Sequence, residues 1–318
     1  MKKIFNRVNK YTKLILKVAV SLFFIWLIFF SVDWLEVAEN IRKINGFYLV
    51  AYIIVIILGI AISSYKWKIL ADFKGIKLNF VNFFKLYLTG NFINNFMPSF
   101  IGGDVYKAYS LGKPEKKYIE ASSTVVMDRI TGLFGAIFLA LVFSLLNIKE
   151  VLSSHVLIVV NLIVVGSFLA IIFLLIIKKM TFWNQLKKYF PQKLIAFMAD
   201  LKTYNGNSGI IQRSIIWAFV FDFVGIALAN FILFTALGIK IGILDYLSII
   251  FLISIIASIP VSINNIGLKE WAYIAFFGAL NLNPPAIVTV AIVSRFIQML
   301  ISFLALPFYL KRDKINFK

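Results

Sequence analysis

Apolar runs close to 20 residues long recur from one end of the chain to the other, and no other feature restricts its fold as much. As a helix, each run extends about 30 Å, enough to cross the hydrocarbon core of a bilayer. Hydrophobic residues make up 61% of the 318 positions, against roughly 45–50% in a soluble domain, so a soluble fold of this size could not hide them. The expected fold is all-α: a polytopic integral membrane protein, one membrane domain over residues 1–318.

Windows between charge clusters predict six full spans, near Leu14 to Val32, Phe47 to Ser64, Ile119 to Asn147, His155 to Ile177, Ser214 to Gly238 and Ala286 to Leu310. The first run follows a cluster of lysines, as a signal peptide does. No small-residue cleavage site follows it, so it reads as a retained span. Two more apolar stretches are interrupted. Asn79 to Lys107 contains Asn94, Asn95, Pro98, Gly102 and Gly103, and Asp245 to Leu280 contains Pro260, Asn264, Asn265 and Gly267. Such breaks predict re-entrant hairpins or pairs of half-helices.

The formal charge of +19 invites a nucleic-acid reading, but the 33 basic residues follow membrane topology instead. Loops on one side, together with both termini, hold 26 of them, and the opposite loops hold only Arg42, Lys43, Lys149 and Lys240. Lysine and arginine are retained on the cytoplasmic face, so both termini are expected inside a plasma-membrane protein, with no nucleic-acid partner. Both broken stretches must then enter and leave on one side. A full span at either place would move seven positive charges to the wrong face, at roughly 1 kcal/mol each.

Each half, residues 1–147 and 155–310, thus reads as span, span, hairpin, span. Three full spans are an odd number, so the second half runs inverted, as in transporter repeats. Arg129 follows Asp104 by 25 residues, and Arg295 follows Glu270 by 25. Both arginines are expected about 15 Å deep, near the midplane.

Seven charges remain in or near the hydrocarbon: Asp104, Asp128, Arg129, Asp222, Lys269, Glu270 and Arg295. At about 2.5–3.5 kcal/mol for a central charge, they require an explanation. Either they are ion pairs stapling the halves together, or they line a polar cavity that receives part of a substrate. Asp128 and Arg129 point about 100° apart on a helix, so their partners are expected elsewhere. The symmetric expectation pairs Arg129 with Glu270 and Arg295 with Asp104. Asp222 is either a proton-titrating site or a helix-packing hydrogen bond. Gly102, Gly103 and Gly267 serve either tight hairpin packing or a backbone anion site, which two arginines would suit to phosphate. The chain has no Cys and a single His, His155, which excludes thiolate metal sites and haem. No cofactor or metal is expected.

The segments PSFIGGDVYKAYSL (98–111), VVMDRITGL (125–133) and SINNIGLKEWAYI (262–274) resemble the lysylphosphatidylglycerol synthase transmembrane region, a flippase-like membrane family, over essentially the whole chain. The resemblance implies that Asp104, Asp128, Arg129 and Glu270 form a polar core. Lys107 and Lys269 stand where that family often has Arg, and Asp128 where it often has Glu, which preserves charge but not bidentate geometry at the lysines. No counterpart of the full synthase's soluble aminoacyl-transfer domain is expected within these residues, since the longest cytoplasmic loop, 178–213, is too short to contain one. A phosphatidylglycerol lysyltransferase label would therefore be inherited from the family rather than read from chemistry in the chain.

Three functions follow. A lipid translocase would move the headgroup of a phospholipid or polyprenyl-linked glycolipid past Arg129 and Arg295, balanced by Asp104, Glu270 and Asp128, with membrane lipids as partners and a separate transferase or glycosyltransferase as a further one. A membrane-embedded headgroup transferase would use Asp104 or Glu270 as general base. A non-transporting scaffold would need none of these charges. No nucleotide-binding phosphate loop is present, so ATP is not the direct driver.

Overall fold

The computed structural model describes residues 2–97, 101–177 and 191–310. Among these the chain is helical, without strands, and four helices are long and apolar enough to cross a membrane, or five if the bent α1–α2 pair is one span. It is a polytopic all-α membrane protein.

The first span, α1 (Lys2–Ser31), ends where Asp33 caps α2 (Trp34–Lys43), accepting from the Leu35 amide at 2.9 Å and turning the chain by 86°. The expected spans leave 33–46 as a loop. Instead, α2 is a short amphipathic helix, with Arg42 and Lys43 against the negative end of its dipole and Val37 buried beside Val288. Next, α3 (Gly46–Phe73) continues nine residues past the expected Ser64 end.

The first broken stretch is a helical hairpin of α4 (Phe80–Phe96) and α5 (Ile101–Gly112). Met97 leaves α4 in extended conformation, as a residue before proline must; Pro98 itself lies outside the described residues. The arms touch through backbone. A Cβ on Gly103 would lie 2.1 Å from the Gly90 carbonyl oxygen, and the Gly103 amide donates to Asn94 Oδ1 at 2.7 Å. Gly102 packs on the Met97 side chain, whose Cγ would lie 2.5 Å from an added Cβ.

After α6 (Tyr118–Leu146), α7 (Ile148–Ser153) and α8 (His155–Ile177), α9 (Gln192–Lys202) is tied to α3 by the Lys74–Asp200 pair at 2.7 Å. The span expected from Ser214 to Gly238 is continuous from Ser208 to Ala236, as α10 (Ser208–Phe221), a π-helical segment (Asp222–Leu228) and α11 (Ala229–Ala236). The second hairpin joins α12 (Ile243–Ala257) to α13 (Leu268–Gly278), with Tyr246 near the start of one arm stacked on Phe277 near the end of the other. Pro260 lies exposed in the turn after α12, where its missing N–H cannot extend the helix. Then come α14 (Pro284–Ser302), entered through two prolines, and α15 (Leu306–Leu310).

A single offset of 166 residues relates Asp104 to Glu270, Gly112 to Gly278, Tyr118 to Pro284 and Arg129 to Arg295, so the helix ends on either side of the intervening turn coincide as well as the charges. Between the halves, a buried cluster packs Tyr52 of α3 against Phe251, Tyr273 and Phe277. The Tyr52 hydroxyl accepts from Gln298 at 2.8 Å and donates to the Ser294 carbonyl. Outward faces are apolar, as lipid requires: Leu22, Phe23, Trp26 and Phe30 of α1 are all exposed.

Candidate functional site

The short turn between α5 and α6 makes them antiparallel neighbours, and this brings Asp104 and Arg129 to the same height. Arg129 donates from Nε to Asp104 Oδ2 at 2.8 Å and from its Nη2 to Oδ1 at 3.1 Å, a bidentate pair. Lys107, one turn along α5, reaches the same Oδ1 at 2.9 Å and rests 4.3 Å from the centre of the Tyr87 ring. Asp104 and Lys107 are largely enclosed, while the Arg129 side chain is 46% exposed along a groove of about 470 Å³ between α5 and α6. Ile101, Val105, Val125 and Ile130 make the walls apolar. Tyr109 and Tyr118 stack beside it, about 16 Å along α6 from Arg129.

The second pair repeats the spacing with different surroundings. Arg295 donates from Nε to Glu270 Oε1, and its two terminal nitrogens donate to the carbonyls of Asn264 (3.0 Å) and Asn265 (2.9 Å). Both asparagines have positive φ, 45° and 55°, a left-handed pair that turns the loop back toward α14. Glu270 Oε2 accepts the Gly267 amide at 2.8 Å, capping α13. Gly267, at φ 82°, packs so tightly on α1 that a Cβ would lie 2.9 Å from the Ser21 carbonyl. Lys269 lies beside the pair, 3.3 Å from Ser294 Oγ.

The expected cross-pairing of Arg129 with Glu270 and Arg295 with Asp104 is therefore incorrect: each arginine binds the acid of its own half. The antiparallel neighbours supply the partner locally. What joins the halves here is neutral. Asn95 of the first break donates to Ser302 Oγ at 2.6 Å and faces Asn264 of the second at 3.5 Å, so the two breaks meet.

Asp128 does not share its neighbour's site. It turns to α3, where Lys66 Nζ lies 3.1 Å from Oδ1 and donates to the Asp128 carbonyl at 2.8 Å. The sequence reading assigned Lys66 to a cytoplasmic loop. With its charge neutralised by Asp128, α3 continues through it and it is buried. An acid at matching depth in another span was the available signal. Asp222 lies apart from both arginine pairs, buried beside Gly135 of α6.

The profile of the family described as "Lysylphosphatidylglycerol synthase TM region" matches residues 14–305. Among curated proteins, a UPF0104 membrane protein of Methanocaldococcus jannaschii is 26% identical over 314 residues, covering 92% of each chain. Another, of Methanothermobacter thermautotrophicus, is 24% identical over 288 residues, covering 83% of this chain and 84% of its own length. With the family profile matching nearly its full length, the chain belongs to the lysylphosphatidylglycerol synthase transmembrane-region family.

Proposed function

We propose that the protein translocates a lipid with a phosphate-bearing headgroup, a phospholipid or a polyprenyl-linked glycolipid, with Arg129 as the phosphate ligand and the α5–α6 groove as the path for the apolar part. One observation carries this reading: a bidentate Arg–carboxylate pair sits on the wall of an apolar groove, and its carboxylate has a second cation at 2.9 Å. A phosphate can take Arg129 while Lys107 keeps Asp104 neutralised, so no bare charge is left in the membrane interior. Arg295, sheltered by two carbonyls, is the equivalent site for the opposite access state. The 166-residue offset supports an inverted repeat of two halves, and the meeting of the breaks at Asn95 and Asn264 supports hairpins that move against one another. The distribution of basic residues among the loops supports a plasma-membrane protein with both termini in the cytoplasm.

Translocation of fluorescent phospholipids in proteoliposomes tests the reading. Headgroup-selective movement by the native chain, reduced at least tenfold in Arg129→Ala, is expected. No movement of any anionic, zwitterionic or polyprenyl-linked lipid refutes it. Labelling of a cysteine at position 113 only from outside would overturn the orientation.

A further inference from the structure

One charged cluster takes no part in either arginine pair. Along α6, Asp128, Thr131, Gly132 and Gly135 follow at helical spacing on one face. Over Gly132 lies the Lys66 ammonium, 3.1 Å from where a Cβ would be, and over Gly135 lies Asp222 Oδ2 at 2.8 Å from the same kind of position. Sites three residues apart on a helix are about 5–6 Å apart, and Lys66 is within electrostatic reach of Asp222. Two carboxylates and one ammonium thus share a small, closed space: Lys66, Asp128 and Asp222 are each buried, with Asp222 2% exposed.

The charges do not cancel. Lys66 is engaged with Asp128 through both carboxylate and carbonyl, which leaves Asp222 as surplus negative charge. Its Oδ2 has no hydrogen-bond partner among the described residues. Among the described residues, the elements packed against Asp222 supply it no second cation, and Arg129, next to Asp128, is bound to Asp104. Thr131 and Ser214 bond to each other at 2.9 Å, Tyr246 of α12 donates to the Ala227 carbonyl, and Asn230 of α11 is engaged with Ile226 and Tyr273. Tyr87 of α4 lies on the Lys66 and Asp128 side of the cluster. An isolated carboxylate in such surroundings is far more costly than a neutral carboxyl, and a buried group of this kind neutralises by taking a proton. Asp222 also opens the π-helical segment, a wide turn that recurs at functional sites in helices.

We propose that Asp222, set against the Lys66–Asp128 pair, is a reversible proton-binding site within the membrane domain. Uptake of a proton from water converts its carboxylate to the neutral acid and brings the cluster from one net negative charge to none; release reverses this. A proton fits better than a metal cation because the Lys66 ammonium already occupies the space beside the carboxylates. The site goes beyond the lipid reading and stands without it; joined to that reading, it names the ion to which movement is coupled.

Infrared difference spectroscopy on the full chain in bilayers, stepping the pH up and down, tests this. A protonated-carboxyl stretch that disappears reversibly as pH rises, and is absent from Asp222→Asn, is expected. Lys66→Met should add a second such band, from Asp128 deprived of its cation. Identical spectra for the native chain and Asp222→Asn at every pH overturn the proposal, as does the complete absence of a carboxyl band. If Asp222→Asn fails to fold, dicyclohexylcarbodiimide labelling of the native chain decides: modification of Asp222 that declines as pH rises supports the site, and an Asp222 unmodified at all pH values overturns it. Neither measurement contains a lipid step, so failure of the lipid reading is separable from failure of this one.

Discussion

Arg129 and Arg295 are the same residue type at the same spacing from an acid, yet their surroundings differ. All three nitrogens of Arg295 are taken up by Glu270 and the carbonyls of Asn264 and Asn265, and its side chain is 26% exposed. Arg129 meets its acid along one edge and is 46% exposed beside the groove, while Lys107 stands by as a second cation for Asp104. The second break folds back through two left-handed asparagines, which brings their carbonyls to the Arg295 guanidinium. In this arrangement the second pair is held fast, and the first stands open beside the groove.

The largest expected effect is on the pair that holds. Arg295→Ala strands the buried Glu270 and should cost about 3–5 kcal/mol, read as a lowered unfolding midpoint in detergent; a loss below about 1 kcal/mol would dissolve the contrast. Next is the hairpin contact. Gly103→Ala drives a Cβ into the Gly90 carbonyl and should cost about 1–3 kcal/mol, measured in the same way. Arg129→Ala leaves Asp104 with Lys107, so stability should fall by only about 1 kcal/mol, while phosphate-headgroup binding falls at least tenfold, about 1.4 kcal/mol. Equal stability losses at Arg129 and Arg295 would make both pairs structural. The smallest effect is at Asn264→Gly, which keeps the left-handed turn and the carbonyl donated to. Its midpoint should change by less than about 1 kcal/mol, whereas Asn264→Val, β-branched at positive φ, should lose more.

Five of the six expected spans, counting the bent first one, and both interruptions were legible because their signals are local: hydropathy, proline and glycine at the breaks, basic loops between; the expected span at His155 to Ile177 is, over its described part, a shorter apolar helix. Two features were hidden. The helix α2 is ten residues of mixed polarity, and a count of loop charges sees its acids and bases but not its amphipathic face. Lys66 was hidden by the opposite fault, since a positive charge at the end of an apolar run marks a loop unless an acid waits at the same depth in another helix. The partners of the arginines were open to inference and were misjudged. With helix ends eight residues beyond each acid and eleven before each arginine, the two must meet across one short turn. Symmetry between the halves suggested exchange; the shorter connection decided the outcome.

Local pairing also bears on how the chain is made. Arg129 follows Asp104 from the ribosome by 25 residues, whereas Glu270 lies about 140 residues further on. At about 5–20 residues per second, an arginine awaiting the distant acid would spend on the order of 10 s in the membrane without a counter-ion. With its own acid already synthesised, each half can leave the translocon with its arginine paired, and the second half need not rescue the first.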